Sequence, residues 1–182
     1  MKKQTLQRLT MSAMMIALST VLSVLKLWQM PLGGAVTPFS MLPVCLIGIM
    51  YGTKYALAPC FLYGVIQMLL SSVFGWGLTP MVLIGVILFD YIFAFTFLCL
   101  SGLFRNKKDI GIILGVTLSL AGRFLCHFVS GSIFFKTFEV FGNPYIYSLA
   151  YNGTFMACEL VLTLIGAIIL VRIPIIRKTF NI

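Results

Sequence analysis

Asp90, Arg123, His127, Asn152 and Glu159 are polar side chains set inside stretches that are otherwise apolar, and Tyr147 stands at the edge of one of them. Any chemistry this chain performs begins there. Arg123 and His127 fall at i and i+4 in the run Gly122-Arg-Phe-Leu-Cys-His-Phe-Val-Ser-Gly-Ser-Ile-Phe-Phe-Lys136, so they share one face of a helix. Asn152 and Glu159 are seven residues apart, two helical turns, and share a face as well. An ionised side chain in mid-membrane costs about 2.5–3.5 kcal/mol on insertion scales, and Asp90, Arg123 and Glu159 together oppose insertion by roughly 8–10 kcal/mol if unpaired. Such groups need partners or water, and the Arg123/His127 face is expected to line a ligand site. In the other reading Arg123 lies near a segment end and snorkels to headgroups, while His127 makes one interhelical hydrogen bond.

The remaining chemistry is recognition. A carboxylate at Asp90 suits a cationic or amine-bearing ligand, or else pairs with Arg123. Asn152 offers a donor and an acceptor and Tyr147 a hydroxyl, so with His127 they can read the edge of a heteroaromatic ring; interhelical bonding is the alternative for Asn152. Glu159 is expected deeper in the molecule, in a structural role. Trp76, Tyr91, Phe134, Phe135, Phe138, Tyr145, Tyr147 and Tyr151 gather near one end of the segments, as walls for a flat or cationic ligand or as a membrane-interface belt.

The elements that must position these residues are membrane helices. The chain has 182 residues, 60% hydrophobic and 9% charged, with mean hydropathy +1.08, far from the roughly 25% charged of a soluble domain. At about 20 apolar residues per crossing it has room for about six or seven spans and no soluble domain. Spans are expected at about 9–28, 38–51, 55–72, 81–104, 110–135 and 146–171, forming one all-α six-helix domain over residues 1–182. The Met1-Lys-Lys start resembles a signal peptide but runs on too long, and reads as a retained first span. Pro43 and Pro59 fall inside the second and third spans, and residues 29–37 and 74–80 read as loops from their Gly and Pro content.

Charge distribution orients the bundle. Lys2, Lys3, Arg8, Lys54, Arg105, Lys107, Lys108, Arg172, Arg177 and Lys178 fall at the termini and in the 2–3 and 4–5 turns, against Lys26 and Lys136 on the other side. The positive-inside rule then places both termini in the cytoplasm. The net charge of +9 therefore follows topology and does not indicate nucleic acid. There is no phosphate-binding G-x-x-x-x-G-K-[ST] loop, and one His with no Cys pair gives no basis for a metal centre or cofactor. Cys45, Cys60, Cys99, Cys126 and Cys158 read as free core thiols. No spacing suggests a catalytic triad, so an enzyme is not expected.

Three runs carry a resemblance that spans nearly the whole chain: Gly102-Leu-Phe-Arg105, Arg123-Phe-Leu-Cys-His127-Phe-Val-Ser-Gly131 and Tyr147-Ser-Leu-Ala-Tyr-Asn152-Gly153, with Met41-Leu42-Pro43 as a weaker fourth. In this order and spacing the chain resembles the thiamine-specific substrate-binding subunit, or S component, of energy-coupling factor (ECF) transporters. The resemblance implies a six-helix protein of the cell membrane that captures thiamine on the outer side. It would dock on a membrane coupling protein driven by two cytoplasmic ATPases. It also implies ligand contacts at Asp90, Tyr91, His127, Phe135, Tyr147 and Asn152, and a docking face at Ala13 and Ala17, a small-xxx-small pair that otherwise reads as ordinary helix packing. Asp90 and Phe135 depart from the Glu and Trp of the family pattern. Another pyrimidine or small vitamin is the alternative ligand. A stand-alone proton-coupled transporter relaying through Asp90, His127 and Glu159 is the alternative mechanism.

Overall fold

The structure, a computed structural model, describes residues 2–30, 33–134 and 142–180. Seven helices longer than one turn appear among them: α1 (Lys2–Val24), α2 (Leu42–Tyr51), α3 (Thr53–Leu70), α4 (Pro80–Gly102), α5 (Lys108–Phe134), α6 (Pro144–Arg172) and α7 (Pro174–Phe180). Five of these, α1, α3, α4, α5 and α6, are long and apolar enough to cross a membrane. Their large apolar side chains point outward, among them Met14, Leu69, Ile110, Leu125 and Ile169, as a lipid-facing surface requires.

The centre is α2. Every residue from Leu42 to Met50 is buried, the pattern of a helix that is apolar all round. Pro43 lies in its first turn, where the missing N–H costs nothing. Gly52, at φ 88, closes it and lets α3 begin at the next residue; Arg105 Nη1 donates to the Met50 carbonyl at 3.2 Å and satisfies one of the exposed helix-end acceptors. At ten residues α2 is about 15 Å long, half the hydrocarbon thickness. The 38–51 span is thus shorter than expected, because residues 38–41 form a turn, with Phe39 at φ 59. That turn is held where Gly166 of α6 leaves room for the Phe39 ring and Leu42.

Other boundaries shift for readable reasons. Helix α1 starts seven residues early and stops at Val24, and Trp28 and Gln29 leave it to form β1 (Trp28–Gln29), paired antiparallel with β2 (Ala35–Val36) in the loop expected at 29–37. Helix α4 is not uniform: a wide π-helical stretch occupies Ile87–Phe93 and a tight 3₁₀ stretch Phe97–Gly102. The 3₁₀ end packs against α2 at van der Waals contact of backbones. Ser101 Oγ donates to the Cys45 carbonyl at 2.8 Å, and a Cβ on Gly102 would strike the Gly48 carbonyl. Small residues at the contact permit that approach. Asn143 caps α6, accepting from Tyr145 N at 2.9 Å, and Pro174 ends its ladder and opens α7. Of the five cysteines, Cys158 alone is exposed, on the outer face of α6.

Candidate functional site

A cavity of about 500 Å³ opens within the bundle, in the size range of small-molecule sites. Of the six positions expected to touch ligand, Asp90, Tyr91, His127, Tyr147 and Asn152 line it. Phe135 lies outside the described residues.

Three helices deliver the polar groups. The π-helical stretch of α4 widens the turn that carries Asp90 and Tyr91, a distortion that recurs at functional sites. It sets Asp90 toward α5, where Oδ1 meets His127 Nδ1 at 2.8 Å and Oδ2 accepts from Ser130 Oγ at 2.5 Å. Helix α5 brings Arg123, and Arg123 Nε donates to His127 Nε2 at 3.2 Å. A guanidinium only donates, so Nε2 must accept and the imidazole proton sits on Nδ1, given to Asp90. Neither ring nitrogen is left to abstract a proton from a substrate. Asp90 pairs with His127 rather than with Arg123, whose Nη1 instead donates to Met41 Sδ while its guanidinium carbon lies 4.2 Å from the Phe95 ring centroid. Arg123 is 9% exposed and faces inward, so it does not snorkel.

Helix α6 closes the third side. Asn152 Nδ2 donates to the His127 carbonyl and to Ser148 Oγ, both at 3.1 Å. Those bonds fix the amide orientation and turn its oxygen to the acceptor role. The approach depends on Gly131 of α5, where a Cβ would collide with Ser148 Oγ and come within 3.0 Å of Asn152 Nδ2. Asn152 thus serves the interhelical bond and the cavity wall together.

Several cavity residues were not singled out from the sequence as ligand contacts. Phe155 and Glu159 are among them, and they continue at four-residue spacing on α6 from Tyr147, an expected contact, and Tyr151, an expected aromatic wall, so the spacing carried the signal. Tyr151 stacks on Tyr147 with ring centroids 5.7 Å apart, and its hydroxyl accepts from Gly34 N at 3.0 Å, which ties β2's approach to α6. Phe155 and His127 pack edge to face, with ring centroids 5.8 Å apart. Trp76, expected as an aromatic wall or an interface residue, donates Nε1 to Ser72 Oγ and lies beside Gly33 in the cavity wall. Glu159, expected to be structural, is 1% exposed and does hold structure: Oε1 accepts from Thr37 N at 2.6 Å and Thr37 Oγ1 at 2.7 Å. It also lines the cavity.

A carboxylate, an imidazole locked in one tautomer, an amide oxygen and aromatic walls surround a void of small-molecule size, the arrangement of a candidate binding site. On α1, Ala13 and Ala17 face outward, away from the buried Ser12, Ile16 and Ser19. They take no part in the cavity.

Comparison with known proteins places this architecture. A profile described as thiamine transporter protein matches residues 9–178. The chain is similar to the thiamine transporter ThiT of Bacillus subtilis (strain 168), 30% identical over 184 residues, covering 90% of this chain and 92% of that one. It also has the fold of a solved structure of ThiT from Listeria monocytogenes, with a TM-score of 0.79 and 22% identity, covering 95% of this chain and 98% of the other.

Proposed function

Because the chain belongs to the thiamine transporter protein family, we propose that it is the thiamine-binding S component of an ECF-type importer. It is a multi-pass protein of the cell membrane and a transporter, not an enzyme. The finer reading assigns six crossings, with α2 and the turn before it making the second, one domain over residues 1–182, and both termini in the cytoplasm. The cavity then opens outward, where Lys26 and Trp76 line it. Thiamine is captured there by Asp90, Tyr91, His127, Tyr147 and Asn152, with Phe135 as a further aromatic contact. The Ala13/Ala17 face docks on a membrane coupling protein, which two cytoplasmic ATPases drive.

The observation that carries this reading is the convergence of five ring-reading and charge-bearing side chains, from α4, α5 and α6, on one cavity of ligand size. Asn152 and Tyr147 suit the donors and acceptors of an aminopyrimidine edge, and the carboxylate and aromatic faces suit a cationic ring. His127 serves as a positioning group, since both its nitrogens are engaged within the protein.

Purified protein tests the proposal. The chain has two tryptophans, Trp28 and Trp76, and Trp76 lines the cavity, so thiamine should quench emission and saturate at low concentration. Absence of binding overturns the reading. Liposomes holding this chain alone, without ATP or partners, should accumulate no thiamine; accumulation driven by a proton gradient would replace the S-component reading with the proton-coupled one.

A further inference from the structure

The cavity contains a second carboxylate that the site above leaves unused. Glu159 lines its inner end, three turns along α6 from Tyr147 at the mouth. Oε1 is committed to Thr37, and since Thr37 spends its single hydroxyl proton there, Ser40 Oγ must donate to Thr37 at 2.6 Å. Oε2 is buried and has no hydrogen-bond partner among the described residues. No cation among them touches Glu159 either. The ion pairs among the described residues are His127 with Asp90 and Arg177 with Asp109, and the Arg123 groups that make bonds reach His127 and Met41. A buried carboxylate without a bonded countercharge is costly.

Asp90, by contrast, has both oxygens occupied by His127 and Ser130. Along α6 one turn outward from Glu159 stands Phe155, also a cavity wall and 4% exposed. A flat monocationic ring lying against Phe155 would have an aromatic face on one side and, beyond it, a carboxylate whose Oε2 has no hydrogen-bond partner among the described residues; the Arg123 charge is near enough to act on Glu159 but makes no ion pair with it. Attraction between such charges persists over several ångströms where the local dielectric constant is below that of bulk water, so no direct hydrogen bond is required.

We propose that Glu159 is a specificity-determining residue: it forms a cation subsite at the inner end of the cavity that selects ligands carrying a positively charged ring. The inference rests on the thiamine-capture reading and adds to it a charge determinant distinct from Asp90.

The test compares two ligands of one shape, thiamine and an analogue in which an uncharged thiophene replaces the thiazolium ring. Binding constants are measured for the wild type, Glu159→Gln and Thr37→Val. The first variant keeps an amide oxygen as acceptor for Thr37 but loses the charge; Thr37→Val keeps the charge and removes a bond to it. Wild type should prefer thiamine over the neutral analogue. Glu159→Gln should weaken thiamine by about 10-fold or more and leave the analogue within about threefold, while Thr37→Val should retain the wild-type preference. Equal weakening of both ligands by Glu159→Gln assigns Glu159 a structural role alone and overturns the inference, as does loss of the preference in Thr37→Val. Each of those results leaves thiamine capture standing. Wild-type protein that binds neither ligand overturns capture itself, and the subsite with it.

Discussion

His127 is gripped from both sides, and that decides what each neighbouring substitution does. The Arg123 donor fixes one nitrogen as acceptor and Asp90 takes the proton on the other, so His127→Ala leaves a half-buried carboxylate and a buried guanidinium short of partners. It should cost stability as well as affinity, and melting temperature and thiamine binding should fall together. Asn152→Ala is the cleaner probe of recognition, because its side-chain bonds go to a carbonyl and a hydroxyl already placed by helices α5 and α6. A ligand donor left unpaired costs about 1–3 kcal/mol, which is about 5- to 150-fold in the dissociation constant. Unchanged affinity by titration of tryptophan emission would remove Asn152 from the site. Arg123/His127 and Asn152/Glu159 were legible as shared faces from spacing alone. The pairing of Asp90 with His127 was not, because it depends on how far α4 rotates before it meets α5.

Helices α5 and α6 form the cradle, and one missing side chain sets their separation. Gly131→Leu puts four carbons where Ser148 Oγ and Asn152 Nδ2 now sit. Overpacking of this kind costs about 1–3 kcal/mol, and here it also pushes Asn152 off the cavity wall. The expected result is a lower melting temperature with thiamine affinity reduced beyond that of Asn152→Ala; a variant with wild-type affinity would show that the α5–α6 distance does not control the site. The π-helical stretch Ile87–Phe93 is the other positioning device. Its sequence is plainly apolar and helical, and nothing in its spacing distinguishes a wide turn from a regular one. The 3₁₀ end of α4 is likewise matched to its surroundings, where its Gly102 meets the α2 backbone at Gly48.

The bundle presents a cavity between α4, α5 and α6 and an outward stripe on α1, and the proposed function assigns ligand capture to the first and docking to the second. Ala13 and Ala17 are exposed and lie on the face opposite the buried Ser12, Ile16 and Ser19, so enlarging them disturbs no packing within the chain. The double variant Ala13→Leu, Ala17→Leu should bind thiamine as the wild type does. Uptake by cells or by liposomes holding the complete importer should nevertheless be lost. Retained uptake would move the docking face elsewhere, and lost binding would mean that α1 supports the cavity. Near the amino-terminal end of α5, the pair between Arg177 and Asp109, 3.6 Å apart, ties α7 to the bundle after Pro174 has broken α6; both groups are half-exposed, and little stability is at stake there.

Composition and charge placement by themselves determined that this chain is a helical membrane protein, about where its long helices run, and which polar side chains had no reason to be in lipid. Those are local properties: hydrophobic length, periodicity and the cost of an unpaired charge are all written within one segment. Only the tertiary structure decided which polar groups meet. It gave His127 to Asp90 and turned Arg123 onto Phe95, it brought Thr37 to Glu159 across 122 residues of chain, and it left Glu159 with an oxygen unspent at the end of the cavity. Those outcomes depend on helix rotation, on close approach at Gly131 and Gly102, and on a turn at Phe39, where the competing contacts come from segments far apart in the chain.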